Sequence, residues 1–288
     1  MAHDSIKRVP IIKITDLEAL DTDDSLAIEE PLEIRLEYGA LNNRMVQNVS
    51  VTMRTPGNDA ELAAGFLFTE GIVKNKVDIS DIDHCFIACT ENKENVIQVS
   101  LNEGVIPNLL NTERNFYTTS SCGVCGKGSI NAIRTVSSFT GQADELTITS
   151  ELLYQLPDIL QHHQKVFADT GGLHASALFN TTGELLLVRE DVGRHNALDK
   201  LIGAALNKGW LPLNNHILVL SGRASFELVQ KAAMAGINMI AAVGAPSSLA
   251  VELATEFNIT LAGFLRNRRF NIYTAAHRIV IPIYENTY

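Results

Sequence analysis

The sequence is short of several features that would assign it to a familiar class. Only four of its 288 residues are cysteines, too few for a disulfide framework in a chain of this length. Lysine and arginine together number 23 against 33 aspartates and glutamates, and this acidic balance argues against a nucleic-acid-binding protein. No apolar run is long enough to span a bilayer, and the N-terminus is too polar for a signal peptide. We therefore expect a cytoplasmic protein that does not enter membranes and keeps its cysteines reduced.

What remains is an ordinary globular composition, with 46% hydrophobic and 19% charged residues and no internal repeat. Residues 1–25 lack a clear periodicity and are expected to be a loosely ordered lead-in. Residues 26–115 combine strand-like alternation with one amphipathic stripe, which predicts a small α+β domain. Its predicted elements are strands within 32–54 and over 82–88 and 96–101, and a helix over 60–69.

The second half, residues 116–288, changes to a regular alternation of short apolar runs and amphipathic helices. A predicted hairpin over 173–188 comes first. The elements predicted after it are helices over 196–206, 225–234 and 247–257 and strands over 217–220, 239–243 and 259–264. Short continuous apolar strands are typical of a largely buried sheet, so this half is predicted to be a three-layer α/β sandwich. The boundary with the first half falls in the polar residues 112–120.

A CxxC sequence follows that boundary directly. Residues 119–129 read Thr-Ser-Ser-Cys-Gly-Val-Cys-Gly-Lys-Gly-Ser, and the glycines leave room for a partner to approach both sulfurs. Ser129 is positioned to cap a following helix, whose positive end, together with Lys127, would favour the thiolate of Cys125. A thiolate is the form that a nucleophilic or sulfur-accepting cysteine needs.

The residues around the CxxC leave four interpretations open. Cys122 and Cys125 could belong to a structural turn, or could form a zinc site with Cys85 and Cys89, although those two lie in an apolar, strand-like stretch that is typical of packing cysteines. Thioredoxin-type redox chemistry lacks its usual strand-then-helix setting and the aromatic residue before the first cysteine. In the fourth interpretation one cysteine carries a persulfide. A phosphate-binding P-loop is excluded, because Ser121 stands where its first glycine is required.

His174 follows a Gly-Gly pair at the start of a predicted strand. Zinc deaminases carry the sequence H-x-E at such a place, followed later by P-C-x-x-C. Here Ser176 stands at the glutamate position, and the CxxC precedes the histidine. Deaminase chemistry therefore lacks both its general acid/base and its ligand order. His174 is either a packing histidine or part of a ligand site.

Polar residues gather where three predicted strands end. Arg194, His195 and Asn196 stand at a helix start after Gly193, which is either a solvated cap or an anion site. Arg223 follows the next strand, and residues 264–269 follow a third. Because strand ends meet in the ligand crevice of an α/β sheet, we predict a pocket for a large phosphorylated ligand, gripped by arginines. The residues assigned to it are Phe264, Leu265, Arg266, Asn267, Arg268, Arg269, Arg194, His195, Asn196, Arg223 and His174.

From about residue 30 to the C-terminus the sequence closely resembles the FdhD family, the formate dehydrogenase accessory sulfurtransferases. The segments that carry the resemblance are Arg54-Thr-Pro-Gly, Glu61-Leu-Ala-Ala-Gly-Phe-Leu, Ser121-Cys-Gly-Val-Cys-Gly, Thr170-Gly-Gly-Leu-His-Ala, Glu190-Asp-Val-Gly-Arg-His-Asn-Ala-Leu-Asp-Lys and Ser221-Gly-Arg-Ala-Ser-Phe-Glu-Leu-Val-Gln-Lys.

The resemblance implies a cytidine-deaminase-like C-terminal domain without zinc chemistry and without a catalytic metal of its own. It also implies a sulfurtransferase that takes sulfur from a cysteine desulfurase. The sulfur then passes to the molybdenum cofactor bis(molybdopterin guanine dinucleotide), the client cofactor destined for formate dehydrogenase. In this comparison Cys122 bears the persulfide, Cys125 is its partner, and residues 264–269 belong to the cofactor-binding segment, so that GDP binding is expected. The family is expected to be cytoplasmic and homodimeric.

Two function classes remain open at this point. One is a true sulfurtransferase with a persulfide intermediate. The other is a non-enzymatic, cofactor-binding chaperone whose cysteines bind a metal or the sulfur donor, and a zinc-binding CxxC module is a further variant of it.

Overall fold

An exposed hairpin precedes the two main sheets of the chain. The computed structural model describes residues 5–85, 93–109, 139 and 146–282. In it, β1 (Ile6–Ile14) and β2 (Ala19–Ala27) pair antiparallel along their whole length. The expectation that residues 1–25 form a loosely ordered lead-in is therefore wrong over the described part. The strand β2 could not be predicted from its sequence, because its aspartates have low strand propensity. Its structure depends on pairing with the isoleucine-rich β1.

A four-stranded sheet and one helix form the first half. The strands β3 (Glu30–Ala40), β4 (Asn43–Arg54), β5 (Ile79–His84) and β6 (Val96–Leu101) lie in the order β4-β3-β6-β5, and α1 (Asp59–Thr69) follows β4. Leu32, Ile34 and Leu36 are fully buried whereas their neighbours in β3 are not, which is the alternation of a sheet with one covered face. The predicted strands within 32–54 and over 96–101 and the predicted helix are confirmed. Residues 86–88 of the predicted strand 82–88 lie outside the described residues.

A six-stranded sheet organises the second half. The elements of this half are β7 (Ile148–Thr149), α2 (Ser150–His163), α3 (Lys165–Thr170), β8 (His174–Phe179), β9 (Leu185–Asp191), α4 (Arg194–Lys208), β10 (Ile217–Leu220), α5 (Phe226–Met234), β11 (Met239–Ala242), α6 (Ser248–Glu256), β12 (Thr260–Arg266), β13 (Arg269–Thr274) and β14 (Ile279–Val280). The order in the sheet is β13-β12-β11-β10-β8-β9, and β7 pairs with β14 separately. Strands β10, β11 and β12 are parallel, and the others are antiparallel to their neighbours. The predicted alternation of helices and strands over 196–264 is confirmed.

Helices cover both faces of this sheet. Leu218 and Leu220 of β10 belong to the apolar cluster formed with α4, α5 and α6. Ile217 and Val219, on the opposite face of the same strand, belong to a second cluster that includes the leucines of α2. The fold is therefore mixed α/β, with a buried sheet between two helical layers. No helix within the described ranges is long and apolar enough to cross a membrane.

The two halves share one core. The larger apolar cluster joins the inner face of the four-stranded sheet to α4, α5 and α6. Helices α1 and α4 cross with their backbones in direct contact at Gly65 and Gly203, since a Cβ on Gly203 would lie 1.9 Å from the carbonyl oxygen of Glu61. Arg189 of β9 also forms a bidentate ion pair with Glu61 of α1. The predicted boundary at 112–120 lies outside the described residues.

Candidate functional site

The ends of five strands, β8 to β12, meet at one edge of the six-stranded sheet. Strands β10, β11 and β12 are parallel, so their carboxyl ends lie together. Strand β8 runs antiparallel to β10 and therefore brings its first residue, His174, to the same edge, where it pairs with Asp191 at the end of β9. The backbone N–H of Ser221 donates to the carbonyl oxygen of Ala175 (3.0 Å) and the Ser221 hydroxyl accepts from the Ala175 N–H (2.8 Å), which ties the β10 end to β8.

A cleft of about 640 Å³ opens at this edge, between α2 and the ends of the strands. This volume lies within the range of small-molecule sites. The residues that line it are Pro157, Asp158, Leu160, Gln161, Gln164, Phe167, Gly171, Gly172, Leu173, His174, Ser221, Gly222, Val243, Leu265, Arg266 and Asn267. His174, Leu265, Arg266 and Asn267 were assigned to a pocket from the sequence, and the structure brings them together here.

Three arginines at this edge carry no counter-charge from the described part of the chain. Arg194 begins α4, Arg223 follows β10 and Arg266 ends β12, and none of them forms an ion pair with a described residue. The Nε of Arg194 is buried and has no hydrogen-bond acceptor among the described residues. Unpaired guanidinium groups on a protein of net charge −10 form a local positive site. Such a site suits phosphate or carboxylate groups, which guanidinium binds with two parallel hydrogen bonds.

His174 lines the cleft and lies near two of these cations, Arg194 and Arg223. Burial lowers its pKa from the usual 6.5, and the nearby Arg194, His195 and Arg223 lower it further, against a smaller opposing effect of Asp191. The imidazole is therefore neutral at pH 7, with one donor and one acceptor nitrogen. It packs so closely on Gly222 that a Cβ there would lie 3.2 Å from Nδ1.

The side chain of His195, on α4, contacts the first turn of α5. It is 7% exposed, and its Nε2 lies 3.5 Å from the Glu227 carboxylate and 3.4 Å from the Ser225 hydroxyl. The contact with His195 lowers the pKa of Glu227 from 4.5 to about 2, with Ser225 contributing. The other ring nitrogen, Nδ1, is buried and has no hydrogen-bond partner in the described part of the chain. Sequence reasoning missed Glu227, whose only signal was a glutamate in the first turn of a predicted helix.

Asp191 shapes the turn from β9 into α4. Its Oδ1 accepts from the backbone N–H of Gly193 (2.8 Å) and from Nδ2 of Asn196 (3.1 Å), while its Oδ2 lies 2.7 Å from Lys200 Nζ. Asn196 also donates to the carbonyl oxygen of Met53 at 2.7 Å. The side chain of Asn196 is therefore engaged in joining the two halves, whereas the sequence analysis assigned it to ligand binding. Sequence reasoning did not assign Asp191 or Lys200 to the site.

The segment 264–269 is a tight hairpin rather than a simple strand end. Arg266 pairs with Arg269 across a turn whose two residues, Asn267 and Arg268, have φ of 54° and 53°. Positive φ at both positions matches the right-handed twist of a two-residue hairpin. The Arg268 guanidinium lies 5.4 Å from the ring centroid of Tyr154 on α2, a cation–π contact that fixes the hairpin to the other wall of the cleft.

The other residues assigned from this segment differ in exposure. Leu265 is buried in the core, Arg269 is exposed, and Phe264 is partly buried with a φ of 56°. The Phe264 N–H donates to the carbonyl oxygen of Gly244 at 3.0 Å, which links the ends of β11 and β12.

The CxxC cysteines, Cys122 and Cys125, lie outside the described residues, as does Cys89. Cys85 is a half-buried free thiol whose Sγ lies 3.5 Å from Gln98 Oε1. Burial raises the pKa of this thiol, which disfavours the thiolate. Over the described ranges, no group of three or more His, Cys, Asp or Glu side chains is placed to hold a metal ion.

Comparisons with known proteins agree on one family. A sequence model of the FdhD/NarQ family matches residues 27–280. The chain is 52% identical over 272 residues to the "Sulfur carrier protein FdhD" of Mycolicibacterium paratuberculosis, covering 93% of this chain and 97% of the relative. It is 40% identical to the protein of the same name from Saccharolobus solfataricus, covering 95% and 98%.

A crystal structure from Desulfotalea psychrophila, assigned as a formate dehydrogenase accessory protein, has the same fold. Its TM-score is 0.69 at 24% identity, over 96% of this chain and 100% of that one. The motif segments, the family match and the identity to these relatives together establish that this chain belongs to the FdhD/NarQ family.

Proposed function

We propose that this chain is a sulfur carrier that receives a persulfide sulfur on Cys122 and passes it to a molybdenum cofactor held at the sheet edge. The observation that carries the proposal is the identity of 40–52% to proteins named "Sulfur carrier protein FdhD", over nearly the whole chain. The donor in this proposal is a cysteine desulfurase and the client is formate dehydrogenase. We further propose that the protein is a homodimer whose second half is a cytidine-deaminase-like sandwich without deaminase chemistry.

The sulfur steps are thiol exchanges. The Cys122 thiolate attacks the outer sulfur of a persulfide on the donor, the donor's sulfur–sulfur bond breaks, and the donor leaves as a thiolate. The Cys125 thiolate then attacks the inner sulfur of the Cys122 persulfide. The outer sulfur leaves as hydrosulfide, which the molybdenum takes up. The thiol pair supplies the two electrons and becomes a disulfide, and a dithiol reductant restores both cysteines.

The cargo in this proposal is bis(molybdopterin guanine dinucleotide), which is a substrate here and not a resident cofactor. Its phosphates would be bound by Arg194, Arg223 and Arg266, three guanidinium groups that pair with no carboxylate of the described residues. The N-terminus of α4 adds backbone N–H groups and a positive dipole end at the same place. The cleft between α2 and the β12–β13 hairpin has room for one nucleotide portion, next to the neutral imidazole of His174.

Mass spectrometry tests the sulfur step. Wild-type protein incubated with a cysteine desulfurase and cysteine should gain the mass of one sulfur atom, and peptide mapping should locate it on Cys122. Cys122→Ser should gain nothing. Cys85→Ser is the matched control and should gain sulfur normally, because the Cys85 thiol is half-buried and holds its proton. Sulfur retained on the Cys122→Ser protein would contradict the assignment.

Calorimetric titration of GDP, a fragment of the proposed cargo, tests the ligand site. Arg223→Ala and Arg266→Ala should each weaken GDP binding by about ten- to a hundredfold, because a charge-assisted hydrogen bond contributes roughly 1.5–3 kcal/mol. Replacement of either arginine by lysine should restore GDP binding only in part, because lysine keeps the positive charge but cannot donate two parallel hydrogen bonds to a phosphate. Arg35→Ala, in the other sheet and already paired with Glu33 at 2.7 Å, is the control that should bind as wild type does. Equal affinity in all variants would remove the arginines from the site.

A further inference from the structure

The cleft at the sheet edge has two walls of different charge. Arg266 lies on the wall formed by the β12–β13 hairpin. The opposite wall comes from α2, α3 and the residue between them, and its described side chains include Asp158, Gln161 and Gln164 but no lysine or arginine. We call these three residues, together with Phe167, the α2–α3 wall. A phosphate bound by Arg266 leaves this wall to an uncharged part of the ligand, because Asp158 would repel a second anion.

Gln164 is a buried amide at the cleft. The residue is 5% exposed and lines the cleft, yet its side chain forms no hydrogen bond with the described part of the chain. Its backbone is fixed on both sides, since its N–H donates to the carbonyl oxygen of Gln161 at 3.3 Å and its carbonyl oxygen accepts from the N–H of Ala168 at 3.0 Å. Buried polar groups in folded proteins are nearly always hydrogen-bonded. We therefore expect this amide to bind a polar group of a ligand.

Asp158 supplies a carboxylate to the same wall. It is exposed and forms no ion pair with a described residue. The neighbouring His162 contacts the backbone carbonyl oxygen of Asp158, at 2.6 Å from its Nδ1. A carboxylate at pH 7 accepts hydrogen bonds and donates none. Asp158 therefore suits a ligand edge with two adjacent N–H groups, which its two oxygens can accept side by side.

The α2–α3 wall is held in place by β9. The backbone N–H groups of Val166 and Phe167 donate to the two carboxylate oxygens of Glu190, at 3.1 and 2.9 Å. The half-buried Phe167 also lines the cleft. Nucleobases stack on aromatic side chains of this kind. The wall thus combines an aromatic ring with an amide and a carboxylate, which together can bind the face and the edge of a flat polar ring.

We propose that the α2–α3 wall selects a ring whose edge has one oxygen acceptor followed by two N–H donors. Guanine presents this edge as O6, N1–H and N2–H₂. Asp158 accepts from N1–H and N2–H₂, the Gln164 amide donates to O6, and Phe167 packs on the ring. The inference rests on the proposed cargo and names the residues of this chain that recognise one of its rings.

Adenine does not match this wall. It has an amine where guanine has O6, and its N1 is an acceptor whose lone pair would face the Asp158 carboxylate. The pterin rings of the cargo, in contrast, have the same 2-amino-oxo edge as guanine. The recognised chemistry is therefore shared by two parts of the cargo, and the experiment has to distinguish them.

Calorimetric titration of GDP, inosine diphosphate and ADP into the full-length protein tests the selection. The three ligands share ribose and diphosphate, so differences in their affinity report on the base. Inosine diphosphate lacks the 2-amino group, and it and ADP should each bind about tenfold more weakly than GDP, because each loses a hydrogen bond to a carboxylate. Guanosine and 6-hydroxymethylpterin, which both lack phosphate, identify the source. Binding of either one that Asp158→Asn weakens supports the proposed edge, and the tighter of the two is the ring that the wall takes. Neither compound depending on Asp158 would overturn the proposal.

Two variants separate the roles within the wall. Asp158→Asn should weaken GDP about tenfold and narrow the difference between GDP and inosine diphosphate to about two- to threefold, because a neutral acceptor replaces the carboxylate. Gln164→Met keeps the length of the side chain but loses the amide. It should weaken GDP and inosine diphosphate equally, by about three- to tenfold, since both have O6. A changed ratio between two nucleotides is a result that a merely structural role would not give.

Matched controls lie on the same two helices outside the cleft. Asp169 on α3 and Gln155 on α2 are exposed and are not among the residues that line it. Asp169→Asn and Gln155→Met should bind all three nucleotides as wild type does. Equal affinities of wild type for the three nucleotides, or an unchanged ratio of GDP to inosine diphosphate in Asp158→Asn, would overturn this inference. If Arg266→Ala still weakened GDP, the proposed phosphate site would stand. Wild type that binds no nucleotide would overturn both.

Discussion

The buried ion pair between Lys200 and Asp191 allows a sharp test of how the site is built. The side chain of Lys200 is 2% exposed and that of Asp191 is 0% exposed, with 2.7 Å between Nζ and Oδ2. Lys200 also donates to the carbonyl oxygen of Thr55 at 2.8 Å. The variant Lys200→Met keeps the length of the side chain but leaves the carboxylate buried without its cation. Breaking such a pair costs about 3–5 kcal/mol, roughly a fifth or more of the stability of a typical domain at about 5–15 kcal/mol.

The measurement is urea unfolding, followed by the fluorescence of Trp210. It is the only tryptophan of the chain and lies just after α4, the helix that carries Lys200. Lys200→Met leaves the Asp191 carboxylate buried without a cation, and Asp191→Asn removes that negative charge. The double variant should therefore lose less stability than the sum of the two single losses. Lys165→Met replaces an exposed lysine and is the control, with an expected change within about 0.5 kcal/mol.

The reasoning also predicts a functional consequence. Asp191 positions the Gly193 turn and Asn196, so Lys200→Met should also weaken GDP binding at the N-terminus of α4. A loss below about 1 kcal/mol for Lys200→Met, or strictly additive losses in the double variant, would refute the assignment of a charged, buried pair that organises this turn.

Three further predictions follow from other contacts. Gly203→Ala should lower the Tm markedly, because its Cβ would lie 1.9 Å from the Glu61 carbonyl oxygen and α1 and α4 would have to separate; a wild-type Tm would contradict this. Glu227 has its pKa lowered to about 2 by His195, so its contribution to stability is complete above its ordinary 4.5 and is lost as the pH falls towards 2. The unfolding free energy should therefore fall less between about pH 5 and about pH 3 in Glu227→Gln than in wild type, and an equal fall in both proteins would contradict this. GDP should raise the pKa of His174 in an NMR titration. Burial is the main cause of the lowered pKa and the nearby cations are the next, and the negative charge of bound phosphate would oppose the effect of the cations. An unchanged pKa would place the ligand elsewhere.

Much of the second half could be predicted from the sequence because its local signals agree. The strands β10 and β11 are short continuous apolar runs, and the helices α4 and α5 have amphipathic stripes and clear starts. The parallel order of β10, β11 and β12 then follows from the alternation of strands with helices, and it gathers the polar strand ends at one edge. For this reason the sequence could predict that the arginines following these strands lie at the same edge of the sheet.

Other features depend on contacts that periodicity does not contain. Helix α2 has an apolar stripe and a Thr149 cap, but Pro157 lies inside it and interrupts the helical pattern. The engagement of Asn196 with Met53 joins residues 143 positions apart. Glu227 acquires its role only because α5 starts beside α4 and brings its carboxylate to His195. The placement of Cys122 and Cys125 relative to the edge is a prediction that the described residues do not test.

The backbone contact between Gly65 and Gly203 also has a consequence for how such sequences diverge. A side chain at either position would strike the backbone of the opposite helix, where no rotamer change can relieve the clash. Replacing either glycine alone therefore destabilises the helix crossing, and replacing the other glycine as well would only add a second clash. We expect the two positions to be retained as a pair among relatives that keep this crossing. A relative that lacks one of these glycines should have a larger distance between the two helices, with substitutions along the whole of their contact.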